Sequence, residues 1–248
     1  MLFRSVPGFV DVHVHGVDGS DTLDGAGAVA RIAAALPRYG VTAFCPTMVA
    51  CEPAALRRVL DEVRWLRAVP PAGAARVLPA HLESHFINPE FRGAQPRACL
   101  RACPLAAQAS PAQQDDDERA VPGDFLAEDV LRELERAAAE VGIVTLAPEL
   151  EGALELVRWL VQRGIRVSLG HSGASSEQAA AAIAAGATRA THLFNRMPPL
   201  HHRAPGLVGA VLDSRAVIAE IVCDGVHVHP SLVRLADRKS TRLNSSHV

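Results

Sequence analysis

Five side chains in this sequence have types and positions suited to metal-assisted hydrolysis. His13 and His15 stand two apart in DVHVHG, Glu83 lies in HLES, His171 follows SLG, and His192 sits in THLFN. Along a β-strand, residues two apart point to one face, so His13 and His15 can share a site. Glu83, His171 and His192 each come at the end of a β-like apolar run. A His/His/Glu set with one open position holds a catalytic zinc and suits other divalent first-row metals. Glu83, His171 and His192 fit that set, with His13 and His15 holding a second ion or bracketing bound water. A lone histidine is ordinarily structural. Several histidines with a carboxylate at strand ends are harder to explain by packing, because each would need a buried partner. A metal in that position lowers the pKa of water and polarises a carbonyl, so the chemistry implied is hydrolysis of an amide or related bond. A proton shuttle is still needed. Asp11 is expected on the opposite side of its strand from the two histidines, and Asp224 in the loop CDGVHVHP is not compelling.

The elements that must position these groups follow from periodicity. Short apolar, β-rich runs alternate with Ala/Leu/Arg-rich segments of helical spacing, the pattern of parallel strands joined by crossover helices. Strands are expected near 8–15, 41–47, 76–83, 143–149, 165–171, 188–193 and 216–223. Gly40, Gly142, Gly164 and Gly186 are read as closing a helix just before a strand, the last three 22 residues apart. Residues 150–163 and 175–185 read as helices, with Ser175 and Ser176 as candidate N-caps. The class is α/β, and the metal residues at strand C-termini match where (β/α)8 barrels build their sites. Residues 94–124 break the pattern and read as a long loop, whose DDDE run is taken as a solvated charge cluster.

Composition narrows the partners. The 248 residues suit one barrel of about 250. Hydrophobic residues make up 49%, yet no apolar run approaches the roughly 20 residues that span a bilayer. A net charge of -2 and a pI near 6.6 give no reason to expect nucleic acid or a membrane surface, so a small ligand is expected. Five cysteines without a CxxC pair point to a reducing, cytoplasmic compartment, and MLFRSVPGF has no secretory pattern.

Taken together, PGFVDVHVHG, HLES with FINPEFRGA, VTLAPE, SLGHS, ATHLFNRMPPLHHRAPGLVGAVLD and CDGVHVHP resemble N-acetylglucosamine-6-phosphate deacetylases of the amidohydrolase superfamily over about residues 7–236. The resemblance implies a TIM-type barrel, a homodimer, and release of acetate from an N-acetylamino sugar phosphate. It implies one or two divalent ions (Zn first, then Fe, Mn or Co), the primary ion on Glu83, His171 and His192 and a second on His13 and His15. Asn195 and the Arg196 backbone would contact the sugar phosphate, Arg203 would bind phosphate, including that of a neighbouring subunit's substrate, and His227 would orient the carbonyl. His201, His202 and His229 receive no role.

Several features depart from the family. Ser84 and His85 replace a Gly-Pro after Glu83 and are expected to alter the loop or add a ligand. Gln95 stands where a histidine near the sugar is usual, and 115–118 is unusually acidic. The family's flanking β-sandwich and its eighth strand, with the acid/base aspartate, are absent from the sequence as read. Seven of eight strands are therefore expected, in a barrel fragment over 7–237 between a non-native leader at 1–6 and a non-native tail at 238–248. Two other readings compete: another amidohydrolase acting on a cyclic or N-acyl amide, which a carboxylated lysine at a strand end would favour and the sole lysine, Lys239, does not supply, and an inactive metal-binding fragment.

Overall fold

Helical segments between consecutive apolar runs bring the chain back to the same edge, so successive strands lie parallel. The computed structural model describes residues 6–83, 85–105, 124–239 and 243–244. Its main strands are β1 (Phe9–Val14), β2 (Val41–Met48), β3 (Ala80–Glu83), β4 (Val141–Leu146), β5 (Arg166–Leu169), β6 (Arg189–Ala190) and β7 (Ile218–Glu220). They pair in parallel in chain order. Leu243–Asn244 adds a short parallel pairing beyond β7. The sheet curls into a half-barrel, since His13 of β1 and Glu220 of β7 meet at 3.0 Å although their strands are far apart in the pairing order.

Helices α1 (Ala28–Ala35), α2 (Pro53–Ala68), α3 (Ala127–Arg136), α4 (Ala153–Gln162), α5 (Ser176–Ala185), α6 (Gly206–Asp213) and α7 (Pro230–Lys239) occupy the connections. Leu56, Val59, Leu60, Val63 and Leu66 form one buried stripe on α2, and Ala153, Leu156, Val157 and Leu160 do the same on α4. Arg57 also pairs with Glu133 and Arg64 with Glu140. Such half-exposed pairs are worth about 0–1 kcal/mol, against about 2–5 kcal/mol for truncating one buried leucine, so the apolar stripe is what docks α2. Ser175 caps α5 by accepting from Gln178 N, whereas Ser176 is already inside the helix.

Three expectations change. The strand at 76–83 divides: Arg76–Val77 pairs with Ala43 and Phe44, and β3 resumes further along β2, with Pro79, which has no N–H to donate, at the break. Gly142 closes no helix. It lies within β4, where a Cβ would meet Pro79 Cβ at 3.0 Å and Pro79 O at 3.1 Å, so glycine is needed for close approach. Asp11 does not face away from the interior: it is 3% exposed, and its Oδ1 accepts from His13 N at 3.0 Å. Burial first pushes its carboxyl up to about 6, against the hydrogen bond from His13 and with the nearby Glu220 charge. The DDDE run and Ser84 lie outside the described residues.

Inside the barrel a hydrogen-bond chain crosses five strands. His81 Nδ1 lies 3.1 Å from Val12 O, and a carbonyl only accepts, so Nδ1 carries the proton. His81 Nε2 then accepts from Thr145 Oγ1 at 2.7 Å, Thr145 from Thr191 at 2.7 Å, and Thr191 from Ser168 at 2.6 Å. Each hydroxyl has one proton, so the direction of the whole chain is set by one carbonyl. His81, Thr145, Ser168 and Thr191 are fully buried, and this chain underlies the strand ends.

His85 is also buried, and its Nε2 donates to Cys51 O at 2.6 Å. It joins none of the potential metal groups among the described residues, so the expected extra ligand is not found. Burial pushes its pKa down to about 4, offset in part by the Cys51 bond. A histidine whose folded pKa lies below its unfolded value gives stability that is complete above about 6.5 and declines as pH falls towards about 4. Urea unfolding of metal-free protein between those limits should therefore show His85→Asn with a pH slope smaller by about one proton, or about 1.4 kcal/mol per pH unit. An unchanged slope would show that His85 titrates normally.

Candidate metal centre

Each of the five polar groups sits at or just past a strand end. Glu83 is the last residue of β3, His171 lies two residues beyond β5 and His192 two beyond β6. His171 and His192 have φ of 51° and 32°, the left-handed region that bulky residues avoid. Such strain persists where surrounding contacts over-determine it. At His171 those contacts are visible: Asn88 N donates to its carbonyl at 3.1 Å, while Glu149 accepts from Asn88 Nδ2 at 3.0 Å, Ser172 Oγ at 2.7 Å and Gly173 N at 2.6 Å. Glu149 of VTLAPE thereby locks the turn of FINPEF against the loop of SLGHS.

The donor atoms converge on Glu83. Oε1 lies 2.8 Å from His171 Nε2 and 2.9 Å from His192 Nε2, and the two nitrogens are 3.0 Å apart. His13 Nε2 is 3.7 Å from Oε1, His15 Nε2 is 3.3 Å from Oε2, and the two rings meet at 3.0 Å through Nε2. The structure thus brings together all five residues that the sequence nominates. Burial opposes ionisation of Glu83, yet the contacts with His15, His171 and His192, whose rings donate to it when they are protonated, hold its carboxyl well below the usual range. His192 is raised in turn: burial works against its charge, and the bond to Glu83 overcomes that.

One feature of the geometry bears directly on metal binding. His171 Nδ1 is 2.9 Å from Phe91 O, so Nδ1 must donate, and a neutral ring then presents an Nε2 lone pair to a carboxylate oxygen at 2.8 Å. Two acceptors at that distance repel unless a cation lies between them or the ring is protonated. Around a tetrahedral ion with bonds of about 2.0–2.1 Å, donor atoms stand about 3.3 Å apart. The three donors at 2.8–3.0 Å need to spread by only a few tenths of an ångström, so they fit a divalent metal. His13, His15 and Glu83 form a second group able to hold an ion, and the two groups share Glu83.

Gln95 lies deeper than the sequence suggests. Its Nε2 donates to Glu83 Oε2 and its Oε1 accepts from Ala50 N at 2.8 Å, with the residue 2% exposed. It buttresses a candidate ligand. The other nominated residues are spread around the mouth. Asn195 Nδ2 donates to His192 O at 3.3 Å. Arg196 packs against Gly93, where a Cβ would come within 2.5 Å of its Nε, and its carbonyl accepts from Ser172 N at 3.1 Å. Arg203 is exposed, with its backbone N–H donating to His201 Nδ1 at 3.2 Å. His227 is exposed and its Nδ1 lies 2.6 Å from Asp224 Oδ2. Hydrogen bonds from the His227 backbone and ring hold the Asp224 carboxyl below the usual range. Sequence reasoning missed Glu220, which ends β7, and His81, which lies within β3; the available signal was a charged or polar residue within an apolar run.

Residues 5–248 match the model of the amidohydrolase family. N-acetylglucosamine-6-phosphate deacetylase of Rattus norvegicus is 39% identical over 241 residues, 94% of this chain and 54% of that protein. The Bacillus subtilis deacetylase of the same name is 34% identical over 234 residues, covering 93% and 54%. N-acetylgalactosamine-6-phosphate deacetylase of Escherichia coli O157:H7 is 36% identical over 232 residues, covering 92% and 55%. The chain spans about half the length of the curated relatives it matches. Among solved structures, the Mycobacterium smegmatis deacetylase in complex with N-acetyl-D-glucosamine-6-phosphate superposes with a TM-score of 0.78 at 30% identity, covering 98% of this chain and 58% of that one. The Thermotoga maritima deacetylase gives 0.76 at 31% identity, covering 98% and 59%. With the half-barrel and the histidine-rich strand ends, these matches place the chain in the amidohydrolase family.

Proposed function

We propose that this chain carries the metal-binding part of a deacetylase acting on 2-acetamido sugar 6-phosphates, with N-acetylglucosamine 6-phosphate as first substrate. The observation that supports it most is the convergence of Glu83, His171 and His192 with the His171 lone pair turned towards the carboxylate. In this reading those three hold the primary ion and His13 with His15 a second, zinc being the first choice among divalent metals. The ion would supply Lewis acidity, activating water and polarising the N-acetyl carbonyl. His227 orients that carbonyl, Asn195 and the Arg196 backbone contact the sugar, and Arg203 holds the phosphate as a planar fork. Arg203 projects from an exposed loop, which suits reaching the substrate of a second subunit in a homodimer. Products are acetate and the free amino sugar phosphate. The chain has no helix among the described residues that is long and apolar enough to cross a membrane, consistent with a cytoplasmic catabolic role.

Metal analysis of purified protein tests the ligands. Glu83→Gln and His192→Ala should each weaken binding of the first ion by more than the 10–100-fold typical of losing a supporting partner. Retention of full metal content in both variants would remove this reading.

Acetate release from N-acetylglucosamine 6-phosphate and its galactosamine epimer tests the chemistry. The carboxylates nearest the site are already committed: Glu83 is engaged, Asp224 is tied to His227 with a depressed pKa, and Asp11 and Glu220 are buried against His13. Turnover by the metal-loaded chain should therefore fall about 10²–10⁴-fold below that of a full-length relative. If it matches the relative, Asp224 and His227 are the residues to replace next. Arg203→Ala should raise KM about 10–100-fold with metal content unchanged, the effect of losing a hydrogen bond to a charged group.

A further inference from the structure

The buried carboxylate of Glu220 has no part in the chemistry described so far. It ends β7, is 1% exposed, and its Oε2 lies 3.0 Å from His13 Nδ1. Together with His81 these residues have the spacing of a third metal group. The hydrogen bonds of His81 argue against that use. Its Nδ1 proton goes to Val12 O and its Nε2 lone pair is taken by Thr145 Oγ1, so it has no donor electrons for an ion. What remains is a pair, Glu220 with His13.

We propose that Glu220 is the positioning residue of His13: by accepting from Nδ1–H it holds one tautomer and aims the Nε2 lone pair at the metal site. The ring cannot choose for itself, because either nitrogen of a neutral imidazole can carry the proton. A carboxylate on Nδ1 decides the matter and turns the Nε2 lone pair towards His15 Nε2 at 3.0 Å and Glu83 Oε1 at 3.7 Å. Ligating histidines commonly donate their second N–H to a carboxylate in this way. Arg189 Nη1 stands 3.9 Å from the other Glu220 oxygen, close enough to offset its charge without competing for Oε2. Distance along the chain is the reason the pairing closes the half-barrel: 207 residues separate the partners, and each belongs to a strand remote from the other in the sheet order.

The consequence for metal binding rests on the proposed second ion, but the tautomer does not, so two measurements separate them. Long-range ¹H–¹⁵N spectra of the metal-free protein near pH 8, where an ordinary imidazole is neutral, report which nitrogen is protonated, with His13 assigned by comparison with His13→Gln. The parent should show Nδ1–H; Glu220→Gln, which keeps an acceptor oxygen, should preserve it, and Glu220→Leu should release the ring to a mixture or to Nε2–H. Should Glu220→Leu fail to fold because Arg189 is left alone, the double variant Arg189→Met with Glu220→Leu removes both charges. Chelator competition with zinc should then show the second ion weakened about 10–100-fold in the leucine variant and the first ion unaffected. An Nε2–H signal in the parent, or an unchanged Nδ1–H signal without Glu220, overturns the proposal. Equal weakening of both ions assigns Glu220 a general structural role and overturns it as well. A parent that binds a single ion defeats the two-ion reading of the site, while the spectra still decide the tautomer.

Discussion

A buried carboxylate surrounded by imidazoles governs the design of this half-barrel. Glu83 is 4% exposed, and an ionised carboxylate in that setting carries a desolvation cost of several kcal/mol unless charge and hydrogen bonds offset it. The offset comes from three strand ends, through His13 and His15 at the end of β1, His171 after β5 and His192 after β6, and from the Gln95 amide. No local segment can collect those donors. Only a curled parallel sheet brings residues 13, 83, 171 and 192 to one place, so the electrostatics of Glu83 and the topology of the sheet depend on each other.

The two oxygens of Glu83 have different surroundings, and that difference organises the site. Oε1 faces His171 and His192, while Oε2 faces His15 and Gln95. Gln95 ties Oε2 to the backbone at Ala50, beyond the end of β2, so rotation of the carboxylate would break a bond on each side. Below this level the chain from Ser168 through Thr191, Thr145 and His81 to Val12 O links β5, β6, β4, β3 and β1. A fully satisfied buried network of this kind rigidifies its surroundings, whereas one missing partner would cost about 1–3 kcal/mol. Rigid strand ends are what a metal site needs, because its ligands must stay converged without the ion.

Much of this was legible from spacing. Alternation within runs and helical spacing between them located all seven strands, and the two-residue interval of His13 and His15 predicted their shared face. The same alternation should have put Asp11 with them, and the structure confirms the interior position that the sequence reading denied. Long-range partners were not legible. Glu220 occurs in AVIAEIV as an isolated acid in a strand, and nothing local shows that it meets His13 across the opening. Gln95 falls in a segment without periodicity, so its insertion beneath Glu83 depends on tertiary contacts alone.

The substitutions after Glu83 illustrate how a departure from a family pattern can be absorbed. A histidine at 85 beside a metal ligand invites a reading as an extra ligand. Its Nε2 instead donates to Cys51 O at 2.6 Å, and Arg101 N donates to the His85 carbonyl at 2.8 Å. Phe125 stands edge-on to its ring, with centroids 5.9 Å apart and planes at 90°. Those contacts turn the imidazole away from Glu83 and into the packing between β2 and the loop after β3. The ring is thus used as a buried, neutral, hydrogen-bonding spacer, and the burial that depresses its pKa removes it from competition as a charged partner for Glu83. Identity of a side chain near a site is therefore weaker information than the direction in which the backbone aims it, which here is set by the end of β3.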